Sequence, residues 1–154
     1  MSAVAARSTQ PHAEPTLLYV IKQVELVVRS HLDDLLRPSG VTVLQYTALT
    51  ILERRSDLTT AELARNSFVT AQAMADMVTS LEQAKLIERH RDPANRRRLV
   101  ISLTAKGRRL LDRYRGQVAG LERQMLSGLT ERQAAELRRS LYKCRSALAD
   151  EPPH

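Results

Sequence analysis

Aromatic residues and cysteine are scarce in this chain. With one Phe, four Tyr and no Trp among 154 residues, the core has to be built from Leu, Val, Ile, Ala and Met. That composition suits helix packed on helix. A single cysteine, Cys144, excludes an internal disulfide and agrees with a reducing cytoplasm. No uncharged apolar run approaches the roughly 18 residues of a membrane span. The best stretch, Leu17 to Val28, is interrupted by Lys22, Gln23 and Glu25. The start of the chain lacks the continuous apolar segment of a signal peptide. A cytoplasmic protein with no membrane partner is therefore expected. Glycine-rich phosphate loops, nucleophile elbows and the HExxH pattern are missing too, so no enzyme is expected. His12, His31, His90 and His154 lack metal-ligand spacing with one another or with Cys144. Neither a metal nor a cofactor is expected.

What is abundant is positive charge. Lys and Arg total 24 against 17 Asp and Glu, giving +7 and a sequence pI near 10.2. A domain pI above about 9 is the electrostatic footprint of a nucleic-acid binder, although composition by itself does not decide the matter. Hydrophobic residues at 43% are enough for a real core, and the length fits one domain.

Along the chain, residues 1–15 are small, polar and proline-containing and carry one cation, Arg7; they read as a mobile arm. Leu17, Ile21, Val24, Val28, Leu32 and Leu35 recur at helical spacing until Pro38-Ser39-Gly40. Thr42 with Gln45 forms a capping box and predicts a helix to about Glu53. Thr59 with Glu62 repeats the pattern and opens a short helix to about Asn66. Another helix is predicted from Thr70 or Ala71 to about Ala84, with Met74, Met77, Val78 and Leu81 on one face. Two short helices joined tightly make a helix-turn-helix. The period then changes. Leu86 to Arg91 and Arg98 to Leu103 read as strands, with Leu99, Ile101 and Leu103 as the buried set and Asp92 to Arg97 as the tip. Thr104 caps a helix carrying Leu111, Tyr114, Val118, Leu121 and Met125, close to a coiled-coil seam. After Gly128, Thr130 caps a last helix with Leu137, Leu141, Cys144 and Leu148 on its apolar face. The fold class is thus mainly α, an α+β winged helix-turn-helix with six helices and a two-stranded hairpin.

The segment Asp92-Pro93-Ala94-Asn95-Arg96-Arg97-Arg98, followed by Leu103-Thr104-Ala105-Lys106-Gly107, resembles the wing pattern of the MarR family of bacterial transcriptional regulators. The order of the flanking helices is similar as well, and the resemblance spans nearly all of the chain after residue 16. It implies a homodimer in which 16–40 and 107–150 form the dimerisation helices and 41–106 the DNA-binding region. It implies repression through a palindromic operator and release by a small phenolic or aromatic acid. Double-stranded DNA, a second copy and a small-molecule effector are the partners expected. Two departures stand out. Asp76 and Ala75 occupy positions where the family often has basic or hydroxyl residues. Lys85 stands where glycine is common, which implies a positive φ.

On that basis the wing arginines Arg89, Arg91, Arg96, Arg97 and Arg98 are expected at DNA, Arg97 with Arg96 beside it in the minor groove. Asp92 is expected to pair with one of them and fix the loop. On the recognition helix, Thr70, Gln72, Ala73 and Asp76 lie off the apolar face; Gln72 suits adenine, and Asp76 either accepts from cytosine N4 or points away. Thr79 is expected nearer the backbone, and Thr59 and Thr60 at phosphate. Tyr46, His31 and Arg29 are the effector-pocket candidates. Cys144, in phase with three leucines, reads as a small core or interface residue. The competing functions are a nonspecific architectural DNA binder and a winged helix used for protein contacts. The five wing arginines speak against the latter.

Overall fold

The structure is a computed structural model that describes residues 13–149. The expected arm up to residue 12 and the tail from residue 150, with His12 and His154, lie outside the described residues. Six helices and one hairpin follow in order: α1 (Leu17–Leu36), α2 (Val43–Arg54), α3 (Thr60–Ser67), α4 (Ala71–Gln83), β1 (Ile87–Asp92), β2 (Asn95–Leu103), α5 (Ala105–Met125) and α6 (Glu131–Leu148). A single 3₁₀ turn, Arg37–Ser39, closes α1.

Every one of these helices starts on a threonine. Thr16, Thr42, Thr59, Thr70, Thr104 and Thr130 each accept a hydrogen bond from the backbone N–H three residues on. Such a cap satisfies a donor that the first turn leaves orphaned and contributes about 1 kcal/mol. At Thr42 and Thr130 the box closes, because Gln45 and Gln133 reach back to the cap N–H. At Thr59 it does not. Glu62 accepts the Thr59 hydroxyl instead and leaves its carboxylate available to a distant partner.

The core lies between α2, α3, α4, the strands and the first half of α5. Leu36, Leu49, Leu52, Leu58, Leu63, Met74, Val78, Leu81, Ile87, Ile101 and Leu111 are buried in it. The helix-turn-helix is therefore held from beneath by the apolar faces of α2 and α4, of which the sequence had indicated the second. Lys85 takes φ 60, as the missing glycine implied. Its N–H donates to the Glu82 carbonyl and the next N–H, of Leu86, to the Leu81 carbonyl, the paired bonds of a Schellman cap. Phe68 ends α3 in the same way at φ 57, which its sequence position did not announce. The carbonyl of Lys85 accepts from the Thr104 hydroxyl at 2.6 Å, so the start of α5 is bolted to the end of α4. Gly107 is needed there. A Cβ on it would stand 2.3 Å from the Leu86 carbonyl oxygen.

The hairpin differs from expectation in two respects. Pairing runs to Arg91 opposite Leu99, then shifts register so that Arg96, Arg97 and Arg98 bulge out of the ladder, and resumes with Asp92 opposite Asn95; the tip is only Pro93-Ala94 and Arg96 and Arg97 belong to β2. The cause is local: Asp92 Oδ1 accepts from the Ala94 N–H at 2.9 Å and Pro93 presets its φ, which closes the turn in two residues. The expected alternation also breaks, because Leu99 is 38% exposed while Val100 is buried. Leu99 stands at the last regular pair before the register shift, whereas Ile101 donates its N–H to the Leu58 carbonyl and packs in the core.

α6 buries no residue. Leu17, Leu18, Ile21 and Val24 of α1 and Leu137, Leu141 and Leu148 of α6 are exposed. α1 and α6 flank an apolar groove of about 650 Å³ floored by Val28, Leu32, Val43 and Leu44. Among the described residues, no helix is long and apolar enough to cross a membrane.

Candidate nucleic-acid interface

Charge is distributed unevenly between the two elements that flank Lys85. On α4, Met74, Val78 and Leu81 face the core, which turns Gln72, Ala75, Asp76 and Thr79 outward. Gln72 Nε2 donates to Asp76 Oδ1 at 3.3 Å, one helical turn on. Thr70 caps the helix and stands exposed at its N-terminus with Ala71, Gln72 and Ala73. The partial positive charge at that end suits a phosphate. Thr59 and Thr60 stand half-buried at the corresponding end of α3.

The hairpin brings the five wing arginines together but gives them two roles. Arg89 forms a two-pronged bridge to Glu82 of α4, at 2.9 and 3.0 Å. The bridge holds the Glu82 carboxyl below the ordinary carboxylate value and raises Arg89. Arg98 is a three-way fastener. Its Nη2 donates to Glu62 Oε1 at 2.5 Å and to the Asp57 carbonyl at 3.3 Å, and its Nη1 lies 3.5 Å from Asp92 Oδ2. Asp92 thus pairs with one of the arginines, as the sequence suggested, and that arginine is Arg98. Burial pushes the Glu62 carboxyl up; the Thr59 hydroxyl and the Arg98 guanidinium outweigh it and leave the group below its usual range. Arg91, Arg96 and Arg97 are exposed, and none has a side-chain partner among the described residues. The molecule therefore presents three unneutralised guanidinium groups on a hairpin pinned to both helices of the helix-turn-helix. Arginines so displayed can take up phosphate or enter a narrow minor groove.

The three effector-pocket candidates do not converge. Arg29 lines the apolar groove, where it is paired with Glu25. His31 is exposed on α1, away from the lining of that groove. Tyr46 is buried in the core, its hydroxyl pKa raised by that burial, and Arg115 nearby is clamped to Glu53 at 2.7 Å. A second recess, which sequence reasoning missed, holds about 190 Å³ between Ile51, Arg54, Arg55, Asn66, Phe68 and Arg145. The only sequence signal for it was the Arg54-Arg55 pair. Cys144 is exposed on α6. Among the described residues, no group of His, Cys, Asp and Glu is placed to hold a metal ion.

A helix-turn-helix followed by a pinned, arginine-bearing hairpin defines a winged helix protein. Comparison with known proteins narrows this. Residues 39–98 match the MarR family model. The chain is 34% identical over 125 residues to the HTH-type transcriptional repressor Rv2887 of Mycobacterium tuberculosis, covering 81% of this chain and 90% of the relative. The crystal structure of Rv2887 with p-aminosalicylic acid superposes with a TM-score of 0.68 at 33% identity, over 84% of this chain and 98% of that one. The structure of Staphylococcus aureus MepR with DNA gives a TM-score of 0.77 at 26% identity, over 88% and 100%. The chain belongs to the MarR family of winged helix-turn-helix regulators. It is a DNA-binding transcriptional regulator and not an enzyme.

Proposed function

We propose that the protein is a repressor that binds a palindromic operator as a homodimer and is released by a small organic acid. The observation that carries this reading is the wing. Among the described residues Arg91, Arg96 and Arg97 have no side-chain partner, while Arg89 and Arg98 fasten the hairpin to α4 and α3. In this reading Arg96 and Arg97 enter the minor groove, Thr59, Thr60 and Thr70 hold phosphates, and Gln72, Ala73 and Asp76 face base edges. Arg89 and Arg98, which the sequence also suggests for DNA, act in this reading as fasteners. The DNA complex of MepR supports the general docking.

Dimerisation is supported by the exposed leucines of α1 and α6 and by the groove between them. An apolar surface of this extent is unusual on a monomer. Residues 16–40 and 107–150 would form the stem and 41–106 the DNA-binding region. A two-fold axis then sets the recognition helices in successive major grooves, about 34–36 Å apart. Such a protein works in the cytoplasm, where bacterial DNA lies. For the effector, Arg29 is already paired with Glu25, whereas the recess between α2, α3 and α6 brings Arg54 and Arg145 beside the Phe68 ring, where a carboxylate would find cations. The p-aminosalicylic acid complex of Rv2887 supports an aromatic acid. A nonspecific architectural role is the second reading, favoured by the three alanines on the outer side of α4, Ala71, Ala73 and Ala75.

The test is competition between the promoter region of the protein's own gene and random DNA, with particle mass measured in parallel. A preference of at least about a thousandfold and twice the chain mass are expected. A ratio near one overturns the repressor reading in favour of the architectural one, and a monomeric mass overturns the palindrome.

A further inference from the structure

α4 has no Lys, Arg or His; its only charged residues are Asp76 and Glu82, and Glu82 is occupied by Arg89. The commonest specific base contact, Arg or Lys to guanine O6 and N7, is therefore not available to this helix. Its outward stripe is Gln72, Asp76 and Thr79, and each turns hydrogen-bond acceptors toward solvent. The Thr79 hydroxyl spends its proton on the Ala75 carbonyl at 3.0 Å, so only its lone pairs face outward. Carboxylate oxygens of Asp76 accept and do not donate. Gln72 gives one amide N–H to Asp76 at 3.3 Å. A carboxylate can be met only by the NH₂ end of the amide, so this contact sets which way the amide points. Gln72 Oε1 and one amide N–H remain for a ligand.

We propose that this stripe reads exocyclic amino groups in the major groove, and that Asp76 is its specificity-determining residue. The inference rests on the reading of α4 as the recognition helix. Adenine fits Gln72 in the orientation Asp76 imposes: its N6 amino group donates to Oε1, and its N7 accepts the remaining amide N–H. Cytosine offers its N4 amino group to the free oxygen of Asp76. Guanine presents two acceptors, O6 and N7, to a carboxylate, and thymine presents O4; both leave acceptor facing acceptor. The same carboxylate, carried into a groove lined by phosphates, is repelled wherever no amino group answers it. Asp76 thus acts against random sequence as well as for the operator, the repulsive half of a specific interface. The helix contributes discrimination and no phosphate neutralisation, which leaves affinity to the wing and the helix ends.

The experiment is selection from randomised duplexes with the full-length protein, run on wild type, Gln72→Ala and Asp76→Asn. All three are checked by thermal melting, since both side chains are exposed. Binding is then measured to the selected duplex with one implicated adenine replaced by purine, or one cytosine by 2-pyrimidinone, each lacking its amino group. Positions that lose preference in Gln72→Ala are expected to carry adenine or cytosine. Deleting the amino group should weaken wild type about tenfold. Asp76→Asn, which can donate, should admit guanine or thymine at its position and bind random DNA more tightly. Guanine or thymine at those positions in wild type, indifference to the missing amino group, or a motif unchanged by both variants overturns the inference. Failure of wild type to bind DNA at low salt is a different result, and it overturns the DNA-binding reading itself.

Discussion

The wing and the recognition helix are neighbours in sequence, joined through Lys85 and Leu86, yet they carry opposite charge. The hairpin holds five arginines within ten residues, Arg89 to Arg98. α4 holds none and carries two carboxylates. Among the described residues three of the arginines have no side-chain partner, and the other two are spent on Glu82 and on Glu62 with Asp92. The contrast separates two tasks that basic recognition helices combine. Phosphate neutralisation gives affinity that is blind to sequence and weakens with salt. Base-edge contacts give preference and carry little charge. Here the first task falls to the hairpin and the second to the helix, and the bridges Arg89–Glu82 and Arg98–Glu62 keep the two in register.

This division can be broken at several points. The largest effect is expected at the wing tip. Arg97→Ala should lower affinity on the order of tenfold for operator and random DNA alike, and reduce the salt slope by about one; titrations at several salt concentrations measure both. Arg98→Ala should lose affinity too, but with the slope unchanged, because its guanidinium is held by Glu62 and Asp92 rather than by phosphate. The bridge is partly exposed, so its removal should cost only about 1 kcal/mol in urea unfolding. An altered slope for Arg98→Ala would place that side chain at DNA instead. At the joint, Lys85→Gly relieves a residue in the left-handed region and should stabilise the fold by about 0.5–1 kcal/mol with binding unchanged. The smallest effect concerns acid. The Glu62 carboxyl lies below its ordinary carboxylate range in the folded protein, so its contribution is present above the unfolded pKa and lost as pH falls through the folded pKa. Unfolding curves of wild type and Glu62→Gln should differ by a few tenths of a kcal/mol at neutral pH and converge once the pH has fallen below the folded-state pKa of Glu62.

Much of this was legible in the sequence because its causes are local. Six threonine caps, helical spacing of leucines and the Leu-Thr-x-x-Gly start of α5 each act within a few residues, and the helices begin within a residue or two of where these signals put them. Lys85 was legible through a missing glycine. The two-residue tip was not, because one Asp92 side-chain bond to Ala94 decided where the ladder resumed. Nor were the partners of the wing arginines. Glu62 is 36 residues from Arg98, and only the folded core of Leu58, Leu63 and Ile101 brings them together. Arg29 could have been judged from sequence, since Glu25 stands four residues before it on one helix. Tyr46 could not, because its burial depends on α5 crossing above α2.

The separation of affinity from preference is tested most directly by the ratio of operator to random-DNA affinity, measured for wild type, Arg97→Ala and Gln72→Ala at one physiological salt concentration. The account predicts that Arg97→Ala weakens both affinities and keeps their ratio, while Gln72→Ala lowers the ratio by roughly tenfold and leaves random binding alone. A ratio that collapses in Arg97→Ala and survives in Gln72→Ala would contradict it.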